Sequence, residues 1–105
     1  MNLGIIISQT DSETVWNVYR LGNFALEHGD KVKVFLLGKG VESETEQDQF
    51  NVKQQVQNYI KAGGEIYACG SCMKAREMES TNTCQISSMS ELYKIIKESD
   101  KVLTF

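Results

Sequence analysis

The sequence predicts an α/β fold: a doubly wound, mostly parallel five-stranded sheet with helices on both faces. Two observations carry this expectation. Short apolar runs rich in β-branched residues, such as 3–7 and the group Val32, Val34, Phe35, Leu36 and Leu37, suit strands buried on both faces. These runs alternate with segments whose apolar residues recur at i, i+3 and i+4, the period of an amphipathic helix. Such alternation along a whole chain requires a parallel sheet covered by helices. At 105 residues, the chain is expected to form a single domain over 1–105 with a core of its own.

Taken in order, 3–7 is the first strand, and Ser8-Gln9-Thr10-Asp11 supplies loop and cap residues before a helix. In that helix Val15, Val18, Tyr19, Gly22, Ala25 and Leu26 form the inner stripe, and Gly29 ends it. Thr10 and Asp11 read as N-caps, and His28, in the last turn, reads as a structural residue rather than a base. Residues 31–37 form the second strand, closed by Gly38-Lys39-Gly40. That tripeptide has neither the spacing nor the hydroxyl of a phosphate loop. The acidic run over 41–49, with Glu42, Glu44, Glu46 and Asp48, reads as a solvated loop or the first turn of a helix, or else as a mobile cover over a site.

A second helix is expected over 47–62, burying Phe50, Val52, Val56, Tyr59 and Ile60, with Gly63-Gly64 as its stop. Residues 66–69 then form a strand and 71–78 a short helix. After a turn over 79–83, residues 84–86 form a short strand in which Cys84 is a small buried hydrophobe. Ser88 or Ser90 caps a last helix with Met89, Leu92, Tyr93, Ile95 and Ile96 inward, and 101–105 closes the chain as a strand. Right-handed crossovers favour strands one and three as neighbours, with strand two outside strand one. The topological switch point would then lie between Ser8 and Cys69, the place where such sheets bind ligands.

Composition narrows the classes of function. The formal net charge is −3 with both signs scattered, so no surface is expected to seek nucleic-acid phosphate or a lipid membrane. The first residues carry no basic leader, and the opening apolar run is too short for a signal peptide or a membrane span, so a cytoplasmic protein is expected. Three cysteines make an odd count, and a reducing compartment disfavours structural disulfides. Cys69, Cys72 and Cys84 are therefore packing or reactive thiols. No cofactor is expected, and three Cys with the distant His28 make a poor metal-ligand set.

The chemistry is expected in the stretch Cys69-Gly70-Ser71-Cys72, at a strand-to-helix turn. Unpaired N–H groups there favour a thiolate, and residues three apart are neighbours on a helix, so Cys72 stands near Cys69 as resolving thiol or second acceptor. A helix terminus contributes about 0.3–1 kcal/mol to a charge, against about 1.36 kcal/mol per pKa unit. From a reference near ~8.5 the Cys69 thiol is expected at roughly 7–8, with Cys72 titrating higher. Gly70 and Ser71 allow close approach, Lys74 and Arg76 steer anionic partners, and Ser8 faces the same crevice.

The segment 63–76, Gly-Gly-Glu-Ile-Tyr-Ala-Cys-Gly-Ser-Cys-Met-Lys-Ala-Arg, together with the ending over 86–105, resembles the DsrE/DsrF-like family of small sulfur-relay proteins. The resemblance spans essentially the whole chain. It implies a DsrE/flavodoxin-like three-layer sandwich that assembles as a homotrimer or homohexamer, or as a hetero-oligomer with related subunits. It also implies a strand-end cysteine, Cys69 here, that carries sulfur as a persulfide between donor and acceptor proteins, as a sulfurtransferase or persulfide carrier.

Three readings stand open at this point. In the first, Cys69 accepts sulfane sulfur and passes it on, which is thiol–disulfide exchange with sulfur as cargo. In the second, Cys-Gly-Ser-Cys is a thiol–disulfide oxidoreductase motif, although the motif falls late in the chain and there is no proline to face it. In the third, the chain is a non-catalytic subunit or small binding module whose cysteines only pack.

Overall fold

The computed structural model describes residues 1–44, 49–79 and 84–105. The elements follow as β1 (Asn2–Ile7), α1 (Ser12–Glu27), β2 (Lys31–Leu36), α2 (Val52–Lys61), β3 (Glu65–Cys69), α3 (Gly70–Ala75), β4 (Gln85–Ser87), α4 (Met89–Glu98) and β5 (Lys101–Thr104). A 3-10 helix over Gly38–Glu42 follows β2. The five strands form one sheet, every pair parallel, with helices on both faces.

The strand order is β4-β3-β2-β1-β5. This corrects the expected arrangement: β1 and β3 are not neighbours, because β2 lies between them and pairs with both. Each of the first three crossovers steps to the adjacent position in the same direction, which keeps α1 and α2 on one face. The winding reverses only at α4, which carries the chain back across the sheet to β5. The switch point is therefore between β1 and β5, where the Ser8 N–H donates to the Phe105 carbonyl at 2.8 Å.

Pleating and register assign the two faces. Leu3, Ile5 and Ile7 align with Val32, Val34 and Leu36, and Ile66 aligns with Val34. This fully buried layer packs under α1 and α2. Tyr59 of α2 reaches into it, its hydroxyl 2.9 Å from the Val32 carbonyl and 3.0 Å from that of Glu65, so burial of the phenol is matched by hydrogen bonding. Gly4, Lys33, Glu65 and Tyr67 share the opposite face, over which α4 lies; a Cβ on Gly4 would meet Ile95 and Ser99.

Local signals explain most boundaries. Asp11 is the N-cap of α1, its Oδ2 accepting the Thr14 N–H at 3.0 Å, and Thr10 makes no such cap. Asn51 caps α2 through the Gln54 N–H at 3.1 Å, so this helix starts later than expected; Phe50 lies outside it and stacks on Trp16. Residues 45–48 and 80–83, which include the expected start of that helix and most of the expected turn, lie outside the described residues. Helix α3 ends at Ala75, and β4 begins at Gln85, one residue after the buried Cys84. On α4 only Leu92 and Ile95 are buried, while Met89, Tyr93 and Ile96 face outward, and β5 is an exposed edge strand.

Candidate functional site

Cys69 ends β3 and is the N-cap of α3, with φ −62° and ψ 114°, an extended conformation that turns the chain from strand to helix. Three residues on, Cys72 lies in the first turn of the helix. The two thiols stand close enough across that turn for each to shift the other's acidity. Cys69 is only 6 % exposed, whereas Cys72 is half-buried. The inner thiol is thus shielded and the outer sulfur meets solvent.

The third participant comes from 34 residues earlier in the chain. The backbone N–H of Gly38 donates to the Cys72 Sγ at 3.3 Å. Gly38 has φ +57°, in the left-handed region that a side chain disfavours. Gly40 lets the 3-10 helix lie against the end of β1, since a Cβ there would stand 1.9 Å from the Ile7 carbonyl oxygen. The tripeptide that reads as punctuation in the sequence is thus part of the thiol site.

Arg76 ties the same two segments together. Its Nη1 donates to the Cys72 carbonyl at 3.1 Å, and its Nε lies 3.5 Å from Glu42 Oε1. Glu42, with Val41 and the buried Ser43, belongs to a packed segment beside α3, which corrects the reading of the start of the acidic run as a solvated loop. Residues 45–48 of that run lie outside the described residues.

The electrostatics reverse the expected order of the thiols. Burial pushes the Cys69 thiol up, reinforced by its hydrogen bond to Cys72; the N–H groups of Cys72 and Ser71 pull the other way without closing a side-chain cap. The Cys72 thiol is lowered, first by the hydrogen bond from Cys69, then by the Gly38 N–H and the Arg76 charge, with burial opposing. The expectation of a depressed Cys69 is overturned because α3 has only six residues and a correspondingly small dipole, while desolvation dominates at a nearly closed position. Of the two thiols, Cys72 is thus the more acidic and the more exposed.

The other expected site residues fall as follows. Gly70 and Ser71 bridge the two cysteines, Ser71 at the surface and Gly70 against the Ser87 carbonyl at the end of β4. Lys74 is exposed on α3. Ser8 is not brought to the thiols: it ends β1, two strands from β3, and its Oγ donates to the Phe105 carbonyl at 3.1 Å. His28 caps the end of α1, its Nδ1 2.9 Å from the Phe24 carbonyl oxygen. Among the described residues no group of three or more His, Cys, Asp or Glu side chains is arranged to hold a metal, and no helix is long and apolar enough to cross a membrane. Sequence reasoning missed Gly38 and Glu42; the paired glycines around Lys39 were the one signal available, and they carried no hint of a sulfur partner.

Comparison with known proteins agrees with this architecture. The fold superposes on the ychN protein from E. coli with a TM-score of 0.83 over 100% of both chains at 21% identity. It superposes equally well, TM-score 0.83 at 21% identity, on the conserved protein BT1422 from Bacteroides thetaiotaomicron, covering 99% of this chain and 94% of that one. At such identities the likeness is one of fold alone. In sequence, the chain is 30% identical to the uncharacterised protein MK0008 of Methanopyrus kandleri over 96% of its own length and 91% of that protein's. It is 29% identical to the uncharacterised protein MJ0989 of Methanocaldococcus jannaschii over the full length of both. With residues 1–105 all matching the family's sequence pattern, the chain belongs to the DsrE/DsrF-like family.

Proposed function

We propose that this protein carries sulfane sulfur as a persulfide on the Cys69/Cys72 pair and transfers it between a donor and an acceptor protein in a reducing, cytoplasmic compartment. The observation that supports this reading most directly is the half-buried Cys72, whose sulfur accepts the Gly38 N–H at 3.3 Å in the same first turn that Cys69 caps. In this reading Cys72, rather than Cys69, takes the sulfur. Its thiolate attacks the outer sulfur of a donor persulfide; the donor S–S bond breaks, the donor leaves as a thiolate, and a new S–S bond forms on Cys72. An acceptor thiolate reverses the step. No net oxidation occurs, so no cofactor is needed.

The surrounding residues suit that exchange. Arg76 places positive charge beside Cys72 and favours its anionic forms. Ser71 and Lys74 are exposed on the same short helix, where a partner's persulfide has to approach. Self-assembly as a homotrimer or homohexamer, or assembly with related subunits, completes the reading.

The test is intact mass after incubation with inorganic polysulfide and desalting. The Cys69→Ser protein gains one sulfur atom, located on Cys72, and Cys72→Ser gains none at neutral pH. If no variant takes up sulfur, or if it settles on Cys84, the non-catalytic reading replaces this one.

A further inference from the structure

The two thiols lie closer together than a simple carrier requires. Cys69 is the N-cap of α3 and Cys72 its third residue, so only Gly70 and Ser71 separate them across the first turn. A side chain at the N-cap of a helix lies over the third helical position, the geometry a capping box uses. Cys69 is nearly closed to solvent, so external thiols and donors reach it poorly, while Cys72 is only half-buried. A sulfur loaded on Cys72 therefore arrives within reach of a second thiol that the bulk solution does not supply.

We infer that the pair has a second activity: Cys69 discharges the Cys72 persulfide as free sulfide and closes a Cys69–Cys72 disulfide, making the protein a persulfide reductase when no acceptor is docked. The inference rests on the carrier reading above. The Cys69 thiolate attacks the inner sulfur of the Cys72 persulfide, the bond between inner and outer sulfur breaks, and the outer sulfur leaves as hydrosulfide. The proton lost by Cys69 goes to water. The outer sulfur is reduced by two electrons, and the two cysteine sulfurs supply them in becoming a disulfide, so no outside oxidant is consumed. Hydrosulfide is a better leaving group than an alkyl thiolate, which directs attack to the inner sulfur. A thiol reductant, two equivalents of a monothiol or one of a dithiol protein, reopens the pair and is itself oxidised to a disulfide.

An acceptor thiol and Cys69 compete for the same sulfur at different atoms. Transfer to an acceptor removes the outer sulfur intact and leaves Cys72 free. Discharge releases that sulfur as sulfide and leaves both cysteines oxidised, so the carrier is silent until it is reduced.

The test loads the reduced protein with inorganic polysulfide, removes excess by rapid desalting, and follows sulfide release and intact mass without added thiol. The wild type is expected to release about one equivalent of sulfide per chain and to finish two hydrogens lighter than the reduced chain. The change should map to the peptide that holds both cysteines. Cys69→Ser is expected to keep its added sulfur, with sulfide release on the order of tenfold slower. Cys69→Ala, which leaves no hydroxyl beside Cys72, should behave as Cys69→Ser does, and circular dichroism checks that both variants are folded. Sulfur that stays on the wild type as long as on Cys69→Ser overturns the discharge and leaves the carrier standing. A protein that takes up no sulfur in any form overturns both. A disulfide found only between two chains also overturns the inference, because the reaction is then not one of the pair.

Discussion

Gly38 and Cys72, 34 residues apart, are joined by a hydrogen bond from a backbone N–H to a side-chain sulfur at 3.3 Å. The bond exists because β2 and β3 are neighbours, so the chain leaving β2 runs beside the helix that leaves β3. A thiolate accepts such a bond better than a thiol does, and the donor is fixed by backbone rather than by a mobile side chain. The strand order thus has a chemical consequence at the strand ends.

Gly38→Ala tests this donor. The left-handed conformation costs a residue with a Cβ about 1–2 kcal/mol, although the space beside Gly38 is open and a Cβ meets nothing within 4 Å. The denaturant midpoint should fall accordingly, and the alkylation profile of Cys72 should move to higher pH as the N–H is turned away. Gly38→Asn, which visits the left-handed region more readily, should recover much of both losses. Equal profiles for all three proteins would show that the bond has no hold on the thiolate.

The thiol pair makes a prediction about reactivity. At neutral pH, alkylation followed by peptide mass spectrometry should label Cys72 first, with Cys69 and the buried Cys84 far behind. Removing the Cys69 donor by Cys69→Ala should shift the Cys72 profile to higher pH. Removing the charge by Arg76→Gln should shift it less, because the Cys69 hydrogen bond is the largest cause of the lowering and the Arg76 charge a smaller one. A larger shift from Arg76→Gln would make the site an ion-pair device rather than a thiol pair.

Stability should follow the same two shifts, with opposite signs. The lowered Cys72 contributes stability above its unfolded value and loses it as pH falls through the folded one. The raised Cys69 contributes stability below its unfolded value and loses it as pH rises through the folded one. The wild type should therefore gain stability as pH rises toward the ordinary thiol pKa, where Cys72 ionises only in the fold, and lose it above that pKa, where Cys69 ionises only when unfolded. In Cys72→Ala only the Cys69 loss remains, provided its thiol stays raised by burial, and urea midpoints should drop only as pH rises past the ordinary thiol pKa. A midpoint that climbs instead would mean that Cys69 is not raised in the fold.

What was legible in the sequence and what was not have separate physical causes. The run over residues 3–7 and the heptad-like spacing of Val15, Val18, Tyr19, Gly22 and Ala25 are local patterns, and the strand and helix they predict are both present. Strand order is not local. Nothing in the spacing of β1, β2 and β3 says whether the winding reverses after two strands or after four; in the fold it reverses after four. The same limit hid Gly38 from the thiol site, since its role depends on β2 lying next to β3. Cys69 and Cys72, separated by two residues, were legible as a pair for the opposite reason. The order of their acidities was not, because burial at Cys69 is a tertiary property that outweighs a short helix's dipole.

The last prediction concerns assembly. Tyr59 is fully buried and Phe50 is half-buried against Trp16, so neither offers a contact surface. Exposed apolar side chains include Leu21 and Phe24 of α1 and Leu103 of β5, Phe24 being 60 % exposed. These residues, with Leu3, Ala25 and His28, line one cleft along an edge strand whose outer backbone groups have no neighbouring strand. Burying a phenylalanine contributes about 1.5–3 kcal/mol, so a contact repeated around a closed ring becomes substantial. Sedimentation at micromolar concentration should give the mass of a trimer or hexamer. Phe24→Asp should reduce it toward the monomer without changing the far-ultraviolet circular dichroism, while Lys53→Asp, on the exposed side of α2, should leave the assembly intact. A wild-type monomer would remove the expected oligomer. An oligomer indifferent to Phe24→Asp would place its contact on another surface, with the exposed Met89, Tyr93 and Ile96 of α4 the next to be substituted.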